Sequence, residues 1–216
     1  MSNINYDFII EYISSMQPDL KGNLKEIEDY GKENNVPIVT PIMHRFLEFI
    51  LSIKRPRNIL EFGTAIGFSS ILMSKYASGK IITLERNERM RVVADRNIKE
   101  AGLEDKIEIK FGDAIENVKN LDEKFDIIFI DAAKSKYQEF FDVSYPMLDD
   151  GGIIIADNVL NKGDIAKPIE DIERRNRTIH RGMNKFIENM LNDERFETVL
   201  LPFSDGVLLA HKKEVE

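Results

Sequence analysis

Two apolar runs in this chain end in oxygen-bearing side chains. Asp131 follows Phe125–Ile130 in FIDAAK, and the pair Asp157-Asn158 follows Ile153–Ala156 in IIIADNV. Two carboxylates and an amide oxygen brought together would form a hard-cation site suited to Mg²⁺, without His or Cys. Mn²⁺ and Ca²⁺ use the same kind of ligand. Lys134 comes one turn after Asp131, within reach of anything such a cation holds. An Asp after a strand is more often a helix cap or turn residue, so the surrounding pattern must decide between the two.

That pattern places both groups at strand ends. From residue 57 onward, strands are expected at Asn58–Phe62, Lys80–Glu85, Ile107–Phe111, Phe125–Asp131 and Gly152–Asp157. Helical periodicity intervenes near Phe68–Tyr76, Glu88–Ala101, Ala114–Asn120 and Lys136–Leu148. Repeated βα units imply a parallel sheet with helices on both faces. Phe196–Leu201 and Val207–His211, joined by PFSDG, form a closing hairpin, preceded by a long helix at about 168 to 192. The first 55 residues carry helical apolar stripes, among them Phe8, Ile9, Tyr12, Ile13 and Met16, broken by the prolines of VPIVTP. The expectation is one α/β domain over 1–216, a helical cap at 1–55 and a catalytic core at 56–216. In open sheets of this kind, ligands bind outside the carboxyl ends of the strands.

The first strand runs into Glu61-Phe62-Gly63-Thr64-Ala65-Ile66-Gly67-Phe68-Ser69. Gly63 and Gly67 allow a tight turn where backbone N–H groups approach a ligand. Their G-x-x-x-G spacing is not the dinucleotide pattern G-x-G-x-x-G, and no G-K-[ST] follows. Glu61 would repel phosphates and suits a cationic or zwitterionic ligand. The second strand ends in Glu85, 22 residues after Gly63, where an acid can accept hydrogen bonds from both ribose hydroxyls. After the third strand, Asp113-Ala114 offers a carboxylate and a small residue to an adenine. A nucleoside with a charged tail and no phosphate fits S-adenosylmethionine.

Together, ILEFGTAIGFSS, the acid of TLERN, FGDA, FIDAAKSKY and IIADNV resemble class I S-adenosylmethionine-dependent methyltransferases, more narrowly the cation-dependent O-methyltransferases of the catechol and caffeoyl-CoA type. The resemblance implies a Rossmann-like, seven-stranded, mostly parallel sheet with a C-terminal antiparallel hairpin. It implies that Asp131, Asp157 and Asn158 hold the divalent cation and that Lys134, with Asp131, is catalytic. It puts Ile38, Val39, Glu61, Gly63, Gly67, Ser69, Glu85, Asp113, Ala114 and Asp131 around the cofactor. Relatives of this kind are commonly homodimers.

The acceptor is read from the C-terminal third. Arg174, Arg175, Arg177, Arg181 and Lys185 are five bases with no acid between them, in a chain of net charge -8. The bland reading is a solvated helix face; the sharper one is RNA contact through phosphates. The resemblance extends to enzymes that methylate 5-hydroxyuridine at the wobble position of the tRNA anticodon loop, whose ring hydroxyl and C4 carbonyl could chelate a cation as a catechol does. A tRNA acceptor is therefore the expectation, with a small catechol-like phenol as the alternative. Ala132-Ala133 and the absence of tryptophan leave the acceptor side open. No cysteine, no basic leader and no apolar stretch of membrane length point to a cytoplasmic protein without membrane partners.

Overall fold

The structure, a computed structural model, describes residues 4–214. Three helices come first: α1 (Asp7–Ser15), α2 (Asn23–Glu33) and α3 (Pro41–Lys54). Alternation then begins with β1 (Ile59–Phe62), α4 (Phe68–Ser74), β2 (Ile81–Glu85), α5 (Glu88–Glu100), β3 (Ile107–Phe111) and α6 (Ala114–Lys119). It continues with β4 (Phe125–Ile130), α7 (Tyr137–Ser144), β5 (Leu148–Ala156) and α8 (Arg177–Leu191). The chain closes with β6 (Phe196–Leu201) and β7 (Val207–Lys212).

The seven strands form one sheet in the order β3-β2-β1-β4-β5-β7-β6. The first five are parallel to their neighbours; β7 is antiparallel to both β5 and β6. The direction of winding reverses between β1 and β4, where open α/β sheets leave a crevice at the strand ends.

Side-chain alternation along each strand builds two cores. Leu60, Phe62, Ile128, Ile130, Ile154 and Ala156 face Phe140, Met183 and Phe186 from α7 and α8. Ile59, Ile81, Ile127, Phe129 and Ile155 face Met43, Leu47, Leu51 and Leu72 from α3 and α4. The helix α3 is thus part of the central packing as well as of an N-terminal cap. Its start is set by Thr40, whose hydroxyl accepts from Met43 N, and by Pro41 at the first turn. α1 differs. None of its residues is buried, and Phe8, Tyr12 and Met16 stand in the open beside Phe49 and Ile53 of α3. No helix among the described residues is long and apolar enough to cross a membrane.

Two boundaries differ from the sequence expectation. β5 begins at Leu148, which pairs with Phe125, and bulges before Ile153 pairs with Ile127; Gly151 takes φ 69° within the irregularity. The long helix expected from about 168 begins only at Arg177. Pro168 forces Lys167 into extended backbone (ψ 156°), and Ile172 and Glu173 are extended as well. Short 3₁₀ turns at Ile169–Asp171 and Arg174–Asn176 fill the interval. Ile169 and Ile172 therefore lie outside the apolar face of α8, which His180, Met183, Phe186, Ile187 and Met190 form at three- and four-residue spacing.

Candidate active site

The register of β4 against β5 governs the site. Ile130 pairs with Ala156, so Asp131 and Asp157 emerge as the next residues of two adjacent parallel strands. Asp157 N donates to Ile130 O at 3.0 Å, and Asp131 N donates to Phe62 O at 2.9 Å. Asp157 is only 2% exposed. Burial pushes the pKa of both carboxyls above the usual carboxylate range; for Asp157 the neighbouring Asp131 charge raises it further, and Lys134 lowers both. Asn158 follows in the left-handed region (φ 56°), its N–H donating to Asp157 Oδ1 at 2.7 Å. Desolvated like charges beside an amide oxygen are a donor set that a divalent cation would relieve, so the residues fit the metal that the sequence implies. No group of three His, Cys, Asp or Glu side chains placed to hold a metal ion occurs among the described residues, so the third donor here would be the amide oxygen of Asn158.

Lys134 begins a 3₁₀ turn, Lys134–Lys136, that leads into α7. Its Nζ donates to Asn161 Oδ1 at 2.9 Å and lies 3.5 Å from Asp205 Oδ2. Asp205 belongs to the tip between β6 and β7. That tip is sewn onto the loop after Asn158: Val159 N donates to Gly206 O, Leu160 N to Asp205 O, and Lys162 N to Asp205 Oδ1. A Cβ on Gly206 would collide with Leu160, so only glycine permits this approach. Asn161 and Asp205 were not expected in the site. They lie 27 and 71 residues from Lys134, and only the folded hairpin brings them to it.

Beside these groups is a cleft of about 530 Å³. Ile38, Val39, Gly63, Ser69, Glu85, Asp113, Ala114, Asp131, Asp157 and Asn158 all line it, together with Thr40, Arg86, Lys136 and Phe140, which were not expected. Gly63 has φ 105°, and a side chain there would strike the carbonyl oxygen of Asp131. The glycine thus lets the β1 turn lie against the strand end at Asp131. Glu85 is held at the β2 end by three backbone N–H groups, those of Ala65, Arg86 and Asn87. Asp113 caps α6 through Ile115 N and Glu116 N, so it is a helix cap and a cleft residue at once.

Glu61 and Gly67 do not line the cleft. Strand alternation turns Glu61 to the α3–α4 face, where it is fully buried and accepts from Ser70 Oγ and Thr83 Oγ1. Gly67 adopts φ 84° as the cap residue of α4 and packs on Ala94 of α5. Both shape the loop from below. The expected basic stripe is also divided. Arg174 and Arg175 sit on a 3₁₀ turn, and Arg175 pairs with Glu173. Arg177 is turned onto its own backbone, donating to Ile172 O and Glu170 O. Arg181 and Lys185 line an open groove shared with Asp142, Glu188, Asp193 and Glu194.

A family model described as O-methyltransferase matches residues 12–213. A catechol O-methyltransferase of Niastella koreensis is 34% identical over 76% of this chain and 78% of its own length. Caffeoyl-CoA O-methyltransferase 2 of Populus trichocarpa is 27% identical over 98% and 89%. The solved O-methyltransferase from Bacillus cereus in complex with SAH superposes with a TM-score of 0.83 at 29% identity, covering 95% of this chain and 97% of that one.

The buried Glu61 generates a pH prediction. Desolvation pushes its carboxyl up to about 7 against the hydrogen bonds of Ser69, Ser70 and Thr83. An acid that binds its proton more tightly when folded favours the fold at low pH and weakens it as pH rises from about 4.5 to about 7. Glu61→Gln should therefore gain melting temperature relative to wild type across that window, by several degrees at its upper end. Thermal melts at both pH values check this, and an equal fall in both proteins counts against it.

Proposed function

The chain belongs to the O-methyltransferase family and is an S-adenosylmethionine-dependent enzyme of it; we propose that its acceptor is a small phenol with two neighbouring oxygens, as in a catechol. One observation carries the proposal: Asp131 and Asp157 end adjacent strands, desolvated and side by side, with Asn158 next to them and Lys134 within electrostatic reach. The catechol and caffeoyl-CoA acceptors named for the relatives support the same class. The tRNA acceptor expected from the sequence draws no such support. Its basic stripe is interrupted, and two of the five cations are engaged within the protein.

Asp131, Asp157 and Asn158 would hold the divalent cation. When bound, such a cation makes a coordinated hydroxyl more acidic and screens the oxyanion. S-adenosylmethionine supplies a methyl group on a sulfonium, and SAH is what remains after transfer. Glu85 would bind the ribose, Ala114 and the free oxygen of Asp113 the adenine, and Gly63 and Ser69 the methionine end, beneath Ile38 and Val39. The new O–CH₃ bond forms as the C–S bond breaks; sulfur keeps the electron pair and the hydroxyl proton passes to solvent. Lys134, as an ammonium held by Asp205 and Asn161, stabilises the oxyanion in line with the methyl. Ala132 and Ala133 also line the cleft and add no bulk to its acceptor side.

We further propose that a second copy of the chain covers the face of α1 and α3. Tyr6, Phe8, Tyr12, Met16, Phe49 and Ile53 are each more than 60% exposed, on or beside two helices that touch, and exposed apolar surface of this kind marks association sites.

Three outcomes are expected. With S-adenosylmethionine and Mg²⁺, catechol should be monomethylated and phenol at least tenfold more slowly; chromatography of the products checks this. Methylation of 5-hydroxyuridine-bearing tRNA without any of catechol would overturn the acceptor class, and equal rates on catechol and phenol would remove the chelation argument. Lys134→Ala should keep cofactor affinity and reduce turnover at least tenfold, and undiminished turnover would exclude Lys134 from the mechanism. In sedimentation velocity the wild type should run as a dimer and Phe8→Asp with Tyr12→Asp as a monomer; a monomeric wild type at micromolar concentration contradicts the pairing.

A further inference from the structure

Tyr137 is the largest fully buried side chain of the protein, 1% exposed, yet it ends in a hydroxyl beneath the site. Buried tyrosine hydroxyls need a partner. Its Oη donates to the backbone carbonyl of Asp157 at 2.8 Å. Asp157 follows the end of β5, and Tyr137 follows Asp131, at the end of β4, through the short turn Lys134–Lys136, so this one bond joins the segments that carry the proposed metal ligands. The ring cannot drift: Phe186 of α8 meets it edge-on, with centroids 5.8 Å apart and planes at 85°. The turn Lys134–Lys136 explains how one segment serves both sides. It leaves Lys134 with Asn161 and Asp205 and places Tyr137, the first residue of α7, in the core.

We propose that Tyr137 is a positioning residue for the metal site: its hydroxyl ties the ends of β4 and β5 together and fixes the spacing of Asp131 against Asp157-Asn158. The inference rests on the metal reading of those residues. Without this tie, nothing described here holds the Asp157 carbonyl from the α7 side, and the desolvated carboxyls have reason to separate. Groups that orient metal ligands typically change affinity about 10- to 100-fold when removed. Neither Lys134 nor Asp205 supplies the same restraint, since Lys134 is engaged with Asn161 and Asp205, and Asp205 with Lys162 N.

Tyr137→Phe tests this, because it keeps the ring against Phe186 and deletes one oxygen. Calorimetric titration with Mn²⁺ should show the dissociation constant raised at least tenfold, while SAH affinity stays within twofold. Turnover should be low at limiting Mn²⁺ and return to within about threefold of wild type at saturation, a recovery that general loss of structure would not show. An unchanged Mn²⁺ affinity overturns the inference and leaves the methyltransferase reading intact. A parallel loss of SAH affinity also overturns it, by making Tyr137 a general core residue. If the wild type itself binds no Mn²⁺, the metal reading fails and takes this inference with it. Should the phenylalanine variant fail to fold, Phe186→Leu provides the second case: loosening the ring should weaken Mn²⁺ binding in a folded protein, and unchanged binding there counts against the tie.

Discussion

The pairing of Ile130 with Ala156 is the constraint on which the site depends. Parallel strands in this register deliver their next residues side by side at the carboxyl end of the sheet. In this chain both next residues are aspartates, and both carboxyls are desolvated there. A buried like-charge pair opposes folding unless it is protonated or neutralised. The surrounding parts can be understood by what they do to that pair. Gly63 lets the β1 turn come up against the Asp131 carbonyl. Asn158, in a left-handed conformation, turns the chain back across the strand ends. Lys134 supplies a positive charge at the rim.

The two halves of the site are built differently. The cofactor half consists of turns after β1, β2 and β3, where the chain contributes short loops and backbone N–H groups. The acceptor half is held by long-range contacts. The β6–β7 tip bonds to the loop after Asn158 on one side. On the other, Ser204 meets Thr40 at 3.1 Å and Phe203 packs on Phe46 at 4.8 Å. Thr40 caps α3 and also lines the cofactor cleft. One hairpin tip therefore touches both the Thr40 segment that lines the cleft and the loop after Asn158. In the proposed reading, the cofactor and acceptor sides of one cleft share this mechanical element.

Strand identity and order of the site residues were legible because each βα unit repeats the same signal: an apolar run, then Gly or an acid, then a helical period. Asp131, Asp157, Asn158, Glu85 and Ser69 are local features of such units and were read directly. Glu61 was misplaced because β1 continues extended through Phe62, and one residue of alternation decides which face a side chain takes. The helix before Arg177 was overextended because Ile169 and Ile172 happen to match helical spacing while Pro168 and the extended residues after it prevent a helix. Asn161 and Asp205 carry no local mark at all. An Asp in a Gly-containing tip looks like turn chemistry, and only the closure of β7 on β5 brings it to Lys134.

The same hairpin closure explains how a lysine can be both near the carboxylates and useful to the acceptor. Left to the fields around it, Lys134 would be drawn inward to Asp131 and Asp157, where it would compete with a divalent cation for the same oxygens. Asp205 and Asn161 pull from the opposite side, at 3.5 and 2.9 Å. Lys134 is then held at the rim by these oxygens, which would leave the carboxylates to the proposed cation. Asp205 adds its own negative charge to the acidic cluster, raising Asp157 further. That increases the demand for a cation at the strand ends while relieving Lys134 of meeting it. With the proposed cation bound, two positive charges would be kept apart by two sets of oxygens, and the space between them would take the acceptor oxygen.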